Sequence, residues 1–201
     1  MAGSGKPQVG VLALQGDFRE HAAVLRGLGA DVLHVRRPEE LAQVDGLVIP
    51  GGESSVQDKL SRAFGLAQPL KDAIASGLPV YGTCAGLIML ADCIVEGIAG
   101  QQTLGGLDVA VRRNAFGSQL DSFETDLDIA VLGSPPVHAV FIRAPIVETV
   151  GPRATVLAAL ADGRVVAVEQ GNLLGTSFHP EVTGDTRFHA YFLDRVRTRS
   201  R

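Results

Sequence analysis

The run "VYGTCAGLIML", Val80 to Leu90, sets a cysteine between two glycines where an apolar stretch changes period. Before the cysteine, "LPVYGT" reads as a short buried strand. After it, "AGLIMLADCIV" has helical spacing and good helix formers, so Cys84 is expected at a strand-to-helix junction. "GTCAG" has the G-x-nucleophile-x-G form of a nucleophile elbow, in which Gly82 and Gly86 permit the close backbone packing of a sharp strand–turn–helix. A thiol at such a helix start faces the positive end of the peptide dipoles, which favours the thiolate. The Ala85 N–H would point at an oxyanion formed on a carbonyl attacked by sulfur. The competing reading, a small buried cysteine, is what most free cysteines are. It is taken for Cys93, expected inside the helix at "ADCIV", and set aside for Cys84 because of the paired glycines.

Working outward, "QVGVLAL" (Gln8 to Leu14) looks like a strand buried on both faces. From Asp17, "DFREHAAVLRGLGA" opens with an Asp and a Glu three residues later and then shows helical spacing. Strands follow at "DVLHVR" (Asp31 to Arg36) and "VDGLVIP" (Val44 to Pro50), a β-α-β alternation that points to a doubly wound, mostly parallel sheet. "PGGESS" (Pro50 to Ser55) ends the third strand in a turn of exposed N–H groups, with Ser54 or Ser55 placed to cap the next helix. A helix is expected over roughly Leu66 to Ser76. The second half differs: "LDVAVRR", "VHAVFIRA", "RATVLAAL", "RVVAVEQG" and "LLGTSF" are closely spaced strand-like runs that fit antiparallel hairpins. "TRFHAYFLDRVRT" (Thr186 to Thr198) closes the chain as an amphipathic helix, with Phe188, Tyr191, Phe192 and Val196 on one side. The basic end "RVRTRSR" reads as a solvated, frayed tail. The first seven or so residues look like a disordered lead-in.

The bulk numbers narrow the function. A chain of 201 residues suits one domain, here residues 1–201, and 46% hydrophobic with 20% charged residues is a globular balance. A formal net charge of -4 gives no positive field to gather phosphate backbones or an anionic membrane, so neither nucleic acid nor a membrane is expected as partner. Two cysteines, without an apolar leader behind "MAGSGKPQ", suggest a reducing, cytoplasmic setting.

A cysteine nucleophile needs a base. Of His21, His34, His138, His179 and His189, only His179 stands directly after a strand-like run with an acid close by, in "SFHPEVT". In an extended chain His179 and Glu181 leave on the same side, so the carboxylate would orient the imidazolium as it takes the thiol proton. The other four are assigned to packing or solvation. "PGGES" supplies a second oxyanion N–H from Gly51 or Gly52. Arg113 in "RRNAFG" and Arg143 in "FIRAP" are suited to pair a free carboxylate, as an amino-acid substrate would offer. Amide hydrolysis through a thioester is the favoured chemistry.

Together "ALQGDFREH", "PGGESS", "YGTCAGLIML", "RRNAFG", "DSFE", "FIRAP" and "SFHPEVTGD" resemble the vitamin B6 branch of the class I glutamine amidotransferases, the glutaminase subunits of pyridoxal 5′-phosphate synthase. The likeness spans nearly the whole chain. In the wider class the elbow continues with a Gln where this chain has Ile88, a departure that resembles the B6 branch. The resemblance implies a flavodoxin-like three-layer α/β domain, with a mostly parallel central sheet and antiparallel additions in the C-terminal half. It implies Cys84, His179 and Glu181 as a triad, glutamine contacts from Gly52, Glu53, Ser54, Arg113, Ile142 and Arg143, and an oxyanion site at Gly52 and Ala85. It further implies hydrolysis of L-glutamine without metal or organic cofactor, and transfer of the ammonia to a separate synthase subunit within a large hetero-oligomer. Turnover would be poor until that subunit docks near Gln15, Gly16 and the first helix. Ser118 stands where the pattern favours a basic residue, a local difference at the partner surface. Rival readings are a glutaminase for another ammonia acceptor, such as imidazole glycerol phosphate synthase, a free-standing γ-glutamyl hydrolase, or a catalytically silent module of the same fold.

Overall fold

A computed structural model describes residues 6–113 and 122–199. The lead-in before residue 6, Ser118 and the last two residues lie outside the described part. The strands are β1 (Gln8–Leu12), β2 (Asp31–Val35), β3 (Gly46–Ile49), β4 (Val80–Thr83), β5 (Ala91–Val95), β6 (Leu107–Arg112), β7 (Ser122–Leu127), β8 (Val137–Ile142), β9 (Ile146–Val150), β10 (Thr155–Ala159), β11 (Val165–Gln170) and β12 (Leu173–Thr176). The helices are α1 (Phe18–Gly27), α2 (Pro38–Leu41), α3 (Ser54–Ala63), α4 (Ala67–Ala75), α5 (Ala85–Leu90) and α6 (Arg187–Arg199).

Ten strands form one sheet in the order β2-β1-β3-β4-β12-β11-β9-β6-β5, with β10 paired to β11. From β2 through β12 every pairing is parallel; β11 runs antiparallel to β12, β10 and β9, and β9 to β6. β7 and β8 form a separate antiparallel pair.

The period of two in the strands divides the apolar residues between two cores. Leu12, Leu47, Ile49, Val80 and Leu173 face one layer, where they meet Leu41 of α2, Leu70 and Ile74 of α4, and Leu87 of α5. Val9, Val11, Val48, Tyr81 and Leu174 face the other, against Ala22 and Leu25 of α1 and Phe188, Phe192 and Val196 of α6. Helices on both sides of a mostly parallel sheet make the flavodoxin-like three-layer arrangement.

Several elements depart from the sequence reading. The helix after the elbow stops at Leu90, and "ADCIV" is instead strand β5: Ala91 turns extended at ψ 143°, and Cys93 pairs with Ala110 of β6. Cys93 is therefore exposed rather than a core cysteine. The β-branched Ile94 and Val95 suit that strand better than a helix interior. Neither Ser54 nor Ser55 caps α3; Glu53 does, accepting from the Ser55 N–H at 3.4 Å, and both serines lie in the first turn. The second half is not all hairpins, because β12 enters the sheet parallel to β4 and β6 lies parallel to β5. β7 and β9 also add strands that the sequence patterns did not mark. The basic stretch from Arg195 to Arg199 is the last part of α6, and Arg195 pairs with Glu169 rather than fraying.

Candidate active site

Strand β4 and helix α5 meet at Cys84 with almost no room between backbones. A Cβ on Gly82 would lie 2.5 Å from the Gly86 carbonyl carbon, and one on Gly86 would lie 2.1 Å from the Ile49 oxygen. Both positions admit only hydrogen, which explains the spacing of "GTCAG". Cys84 itself has φ 49° and ψ −102°, a strained conformation for a residue with a Cβ, held by its N–H donating to the Thr176 carbonyl at 2.8 Å. In this conformation Cys84 reaches the wall of a cavity while remaining only 7% exposed.

The same register delivers the histidine. Thr176 of β12 lies beside Thr83 of β4, so the chain leaving β12 emerges next to the elbow. The His179 N–H donates to the Val140 carbonyl at 2.9 Å, and Pro180 then starts a 3-10 turn over Pro180–Val182. Glu181 reaches His179 by this turn and not by side-chain alternation along an extended strand. Glu181 Oε1 accepts from His179 Nδ1 at 2.7 Å, with both side chains buried. Among the described residues, no hydrogen bond by geometric criteria reaches His179 Nε2. Burial lowers the imidazole pKa, but attraction from the nearby Cys84 sulfur and the Glu181 carboxylate outweighs it and lifts the value to about 10. The geometry leaves Nε2 free to exchange a proton with a sulfur or its substrate.

Gln15, Asp17, Gly52, Glu53, Cys84, Ile142, Arg143 and His179 line a cavity of about 320 Å³. Arg143, like Cys84, has a positive φ, 43°, at the end of β8. Six of the residues proposed from sequence thus meet in one space. Arg113 does not line it but binds Glu53 Oε1 at 2.5 Å and Gln101 Oε1 at 3.0 Å, while Gln101 Nε2 donates to Ser54 Oγ at 2.9 Å. Ser54 and Ala85 are buried at the starts of α3 and α5. Ile88 packs into the core beneath the elbow.

The sequence reading gives several residues of the site no role in it, and places Gln15 only near the docked synthase subunit. Gln15 accepts the Glu53 N–H at 2.8 Å, and Gln57 donates to the Pro50 carbonyl at 3.0 Å, so two amide side chains hold the "PGGESS" turn. Asp17 makes no side-chain cap to α1; its Oδ2 stands 3.7 Å from His179 Nδ1. Burial raises the Asp17 carboxyl above its ordinary range, with His179 pulling the other way. Asp17, His179 and Glu181 bring ligand atoms within 4.8 Å of one another, but a cation there would compete for the Nδ1 already bound by Glu181. His21 and His189, assigned to packing, are fully buried and hydrogen-bonded to each other at 2.8 Å.

The profile of the SNO glutamine amidotransferase family matches residues 11–198. The chain is 74% identical over 196 residues to the pyridoxal 5′-phosphate synthase subunit PdxT of Leifsonia xyli subsp. xyli, covering 98% of this chain and 99% of that one. It is 70% identical to PdxT of Clavibacter michiganensis subsp. michiganensis, over 94% of this chain and 91% of the relative. A crystal structure of a glutamine amidotransferase superposes with TM-score 0.88 at 48% identity, covering 94% of this chain and 98% of that chain.

Proposed function

The chain belongs to the SNO glutamine amidotransferase family, and from that premise we propose that it hydrolyses L-glutamine to L-glutamate and ammonia and supplies the ammonia to a pyridoxal 5′-phosphate synthase subunit. The observation that carries the reading is the 2.7 Å bond from His179 Nδ1 to Glu181, which leaves Nε2 open beside a cysteine on a strained elbow.

In this mechanism the Cys84 thiolate attacks the side-chain amide carbon of glutamine. A C–S bond forms, the carbonyl electrons move to oxygen, and the N–H groups of Gly52 and Ala85 receive the oxyanion. The C–N bond then breaks as His179 Nε2 gives its proton to the departing nitrogen, releasing ammonia and leaving a γ-glutamyl thioester. Water attacks that thioester while Nε2 takes one of its protons. Collapse of the second oxyanion breaks the C–S bond, regenerates the thiolate, and frees glutamate. Glu181 keeps the Nδ1 proton in place throughout. Arg113 or Arg143 receives the α-carboxylate, and Glu53, paired with Arg113, offers an opposite charge for the α-ammonium, with Ser54 and Ile142 completing the contacts.

The reading takes residues 1–201 as one amidotransferase domain working in the cytoplasm within a large hetero-oligomer. Among the described residues no helix is long and apolar enough to cross a membrane. The test is ammonia release from glutamine by the chain alone and with the synthase subunit of the same organism. Partner-dependent release that disappears in Cys84→Ala supports the proposal, whereas release that survives that substitution refutes the nucleophile.

A further inference from the structure

Four elements converge on one fully buried imidazole next to the proposed triad. His21, on α1, places Nε2 3.0 Å from Thr83 Oγ1 and 3.4 Å from Glu181 Oε2, and Nδ1 2.8 Å from His189 Nε2 on α6. Thr83 is the residue before Cys84. Glu181 Oε2 is the carboxylate oxygen that His179 does not use, and among the described residues it has no hydrogen bond of its own.

Burial holds His21 well below its ordinary 6.5, with His189 and His179 adding to the effect, and burial pushes His189 to about 4. Both rings are neutral at pH 7, so each has one N–H and one lone pair. If His21 donated from Nδ1, its Nε2 lone pair could accept from the Thr83 hydroxyl but would face a buried carboxylate oxygen at 3.4 Å, and His189 would be left with a partnerless Nδ1–H. If His189 donates from Nε2, His21 bears its proton on Nε2, donates it to Thr83 Oγ1 and turns that positive edge toward Glu181 Oε2. His189 Nδ1, which has no partner, is then a bare lone pair and not a stranded N–H. The second arrangement turns a positive N–H edge, not a lone pair, toward the carboxylate oxygen and strands no N–H.

We propose that His21, protonated on Nε2, is a positioning residue that steadies the outer oxygen of Glu181 and ties it to the strand carrying Cys84, with His189 fixing its tautomer. The inference rests on the glutaminase reading above. Its consequence is kinetic: a Glu181 held on one side only swings, and His179 loses alignment for both proton transfers without any change in the groups that bind glutamine.

Two measurements test it. Nitrogen-15 NMR of the histidine-labelled full chain should show His21 as the neutral Nε2–H tautomer between pH 6 and 8. An Nδ1–H tautomer or an imidazolium overturns the proposal whatever the enzyme does. In the complex with the synthase subunit, His21→Leu should lower kcat for ammonia release by about 10- to 100-fold, as slight misplacement of reacting groups does, with KM changed less than about threefold. His21→Gln, which keeps an N–H near the Nε2 position, should recover most of that loss. A folded His21→Leu chain with unchanged kcat refutes the positioning role. Should His21→Leu fail to fold, His21→Gln and the tautomer decide. No ammonia release from the unaltered complex would instead refute the glutaminase reading, leaving the NMR result to judge His21 by itself.

Discussion

At His179 burial and charge pull in opposite directions, and charge prevails: the ring sits near 10, so it faces the sulfur as an imidazolium at neutral pH. Glu181 is one of the two groups that lift it. Replacing Glu181 by Gln keeps an oxygen for Nδ1 but removes the negative charge, so kcat for ammonia release should fall by roughly 100-fold or more with KM little altered. Retention of half the wild-type kcat would rule out the orienting role. Cys93 makes the opposite case. It is exposed on β5 and touches nothing in the cavity, so Cys93→Ser should leave glutaminase activity intact and shift stability by less than about 0.5 kcal/mol in urea unfolding. Cys84 was legible because two glycines bracket it, and His179 because an acid follows it closely. Asp17 was not, since "DFRE" has the form of a helix-capping box whether the Asp caps or, as found, turns toward His179. His21 and His189 are packed as the sequence reading expected, but periodicity assigns a helix position to a face without naming what that face touches, so their contacts with Thr83 and Glu181 were not legible.

Elements succeed or fail as sequence readings according to whether their contacts are local. The elbow was readable because one of its demands is local, a Cβ on Gly82 lying 2.5 Å from the Gly86 carbonyl carbon; Gly86 in turn has the Ile49 oxygen of β3 where a methyl would go, 2.1 Å from an ideal Cβ. Gly86→Ala must therefore push α5 off β3, at a cost of about 3 kcal/mol or more, and carry the thiol with it. A urea midpoint close to that of the wild type, together with full activity, would mean that the elbow is looser than its geometry indicates. The helix running past the elbow was misread because Met89, Leu90 and Ala91 favour continuation, while the break depends on the next strand, β6, which lies outside that run and offers an edge to Cys93 through Val95. β7 and β9 were missed for a related reason. "SFETDL" and "IVETV" mix acids and threonines among few apolar residues, as exposed strands do, and only their partners β8, β6 and β11 identify them.

On the scale of the whole molecule, one sheet separates two cores, and the second of them contains buried histidines whose charge state couples folding to pH. His21 and His189 have pKa values depressed in the folded chain, so the unfolded chain binds more protons once pH falls below the ordinary 6.5. Their contribution is complete above 6.5 and is lost as pH falls toward 4. His189 alone accounts for about 3 kcal/mol over that interval at 1.36 kcal/mol per pKa unit, as an order of magnitude. His179 works in the opposite sense: its raised pKa gives stability that is complete below 6.5 and lost as pH climbs through about 10. The two trends meet near neutrality, where the fold should be most stable. Urea midpoints measured from pH 7 to pH 4 should fall steadily. Carboxylates that titrate in the same range would also lower them, so the discriminating comparison is His189→Leu. That chain should begin from a lower midpoint at pH 7, having lost the bond to His21, yet decline less steeply with acid because one proton-binding site of the unfolded state is gone. Equal slopes in the two chains would show that His189 is not held neutral inside the fold, and the tautomer argument for His21 would fall with it.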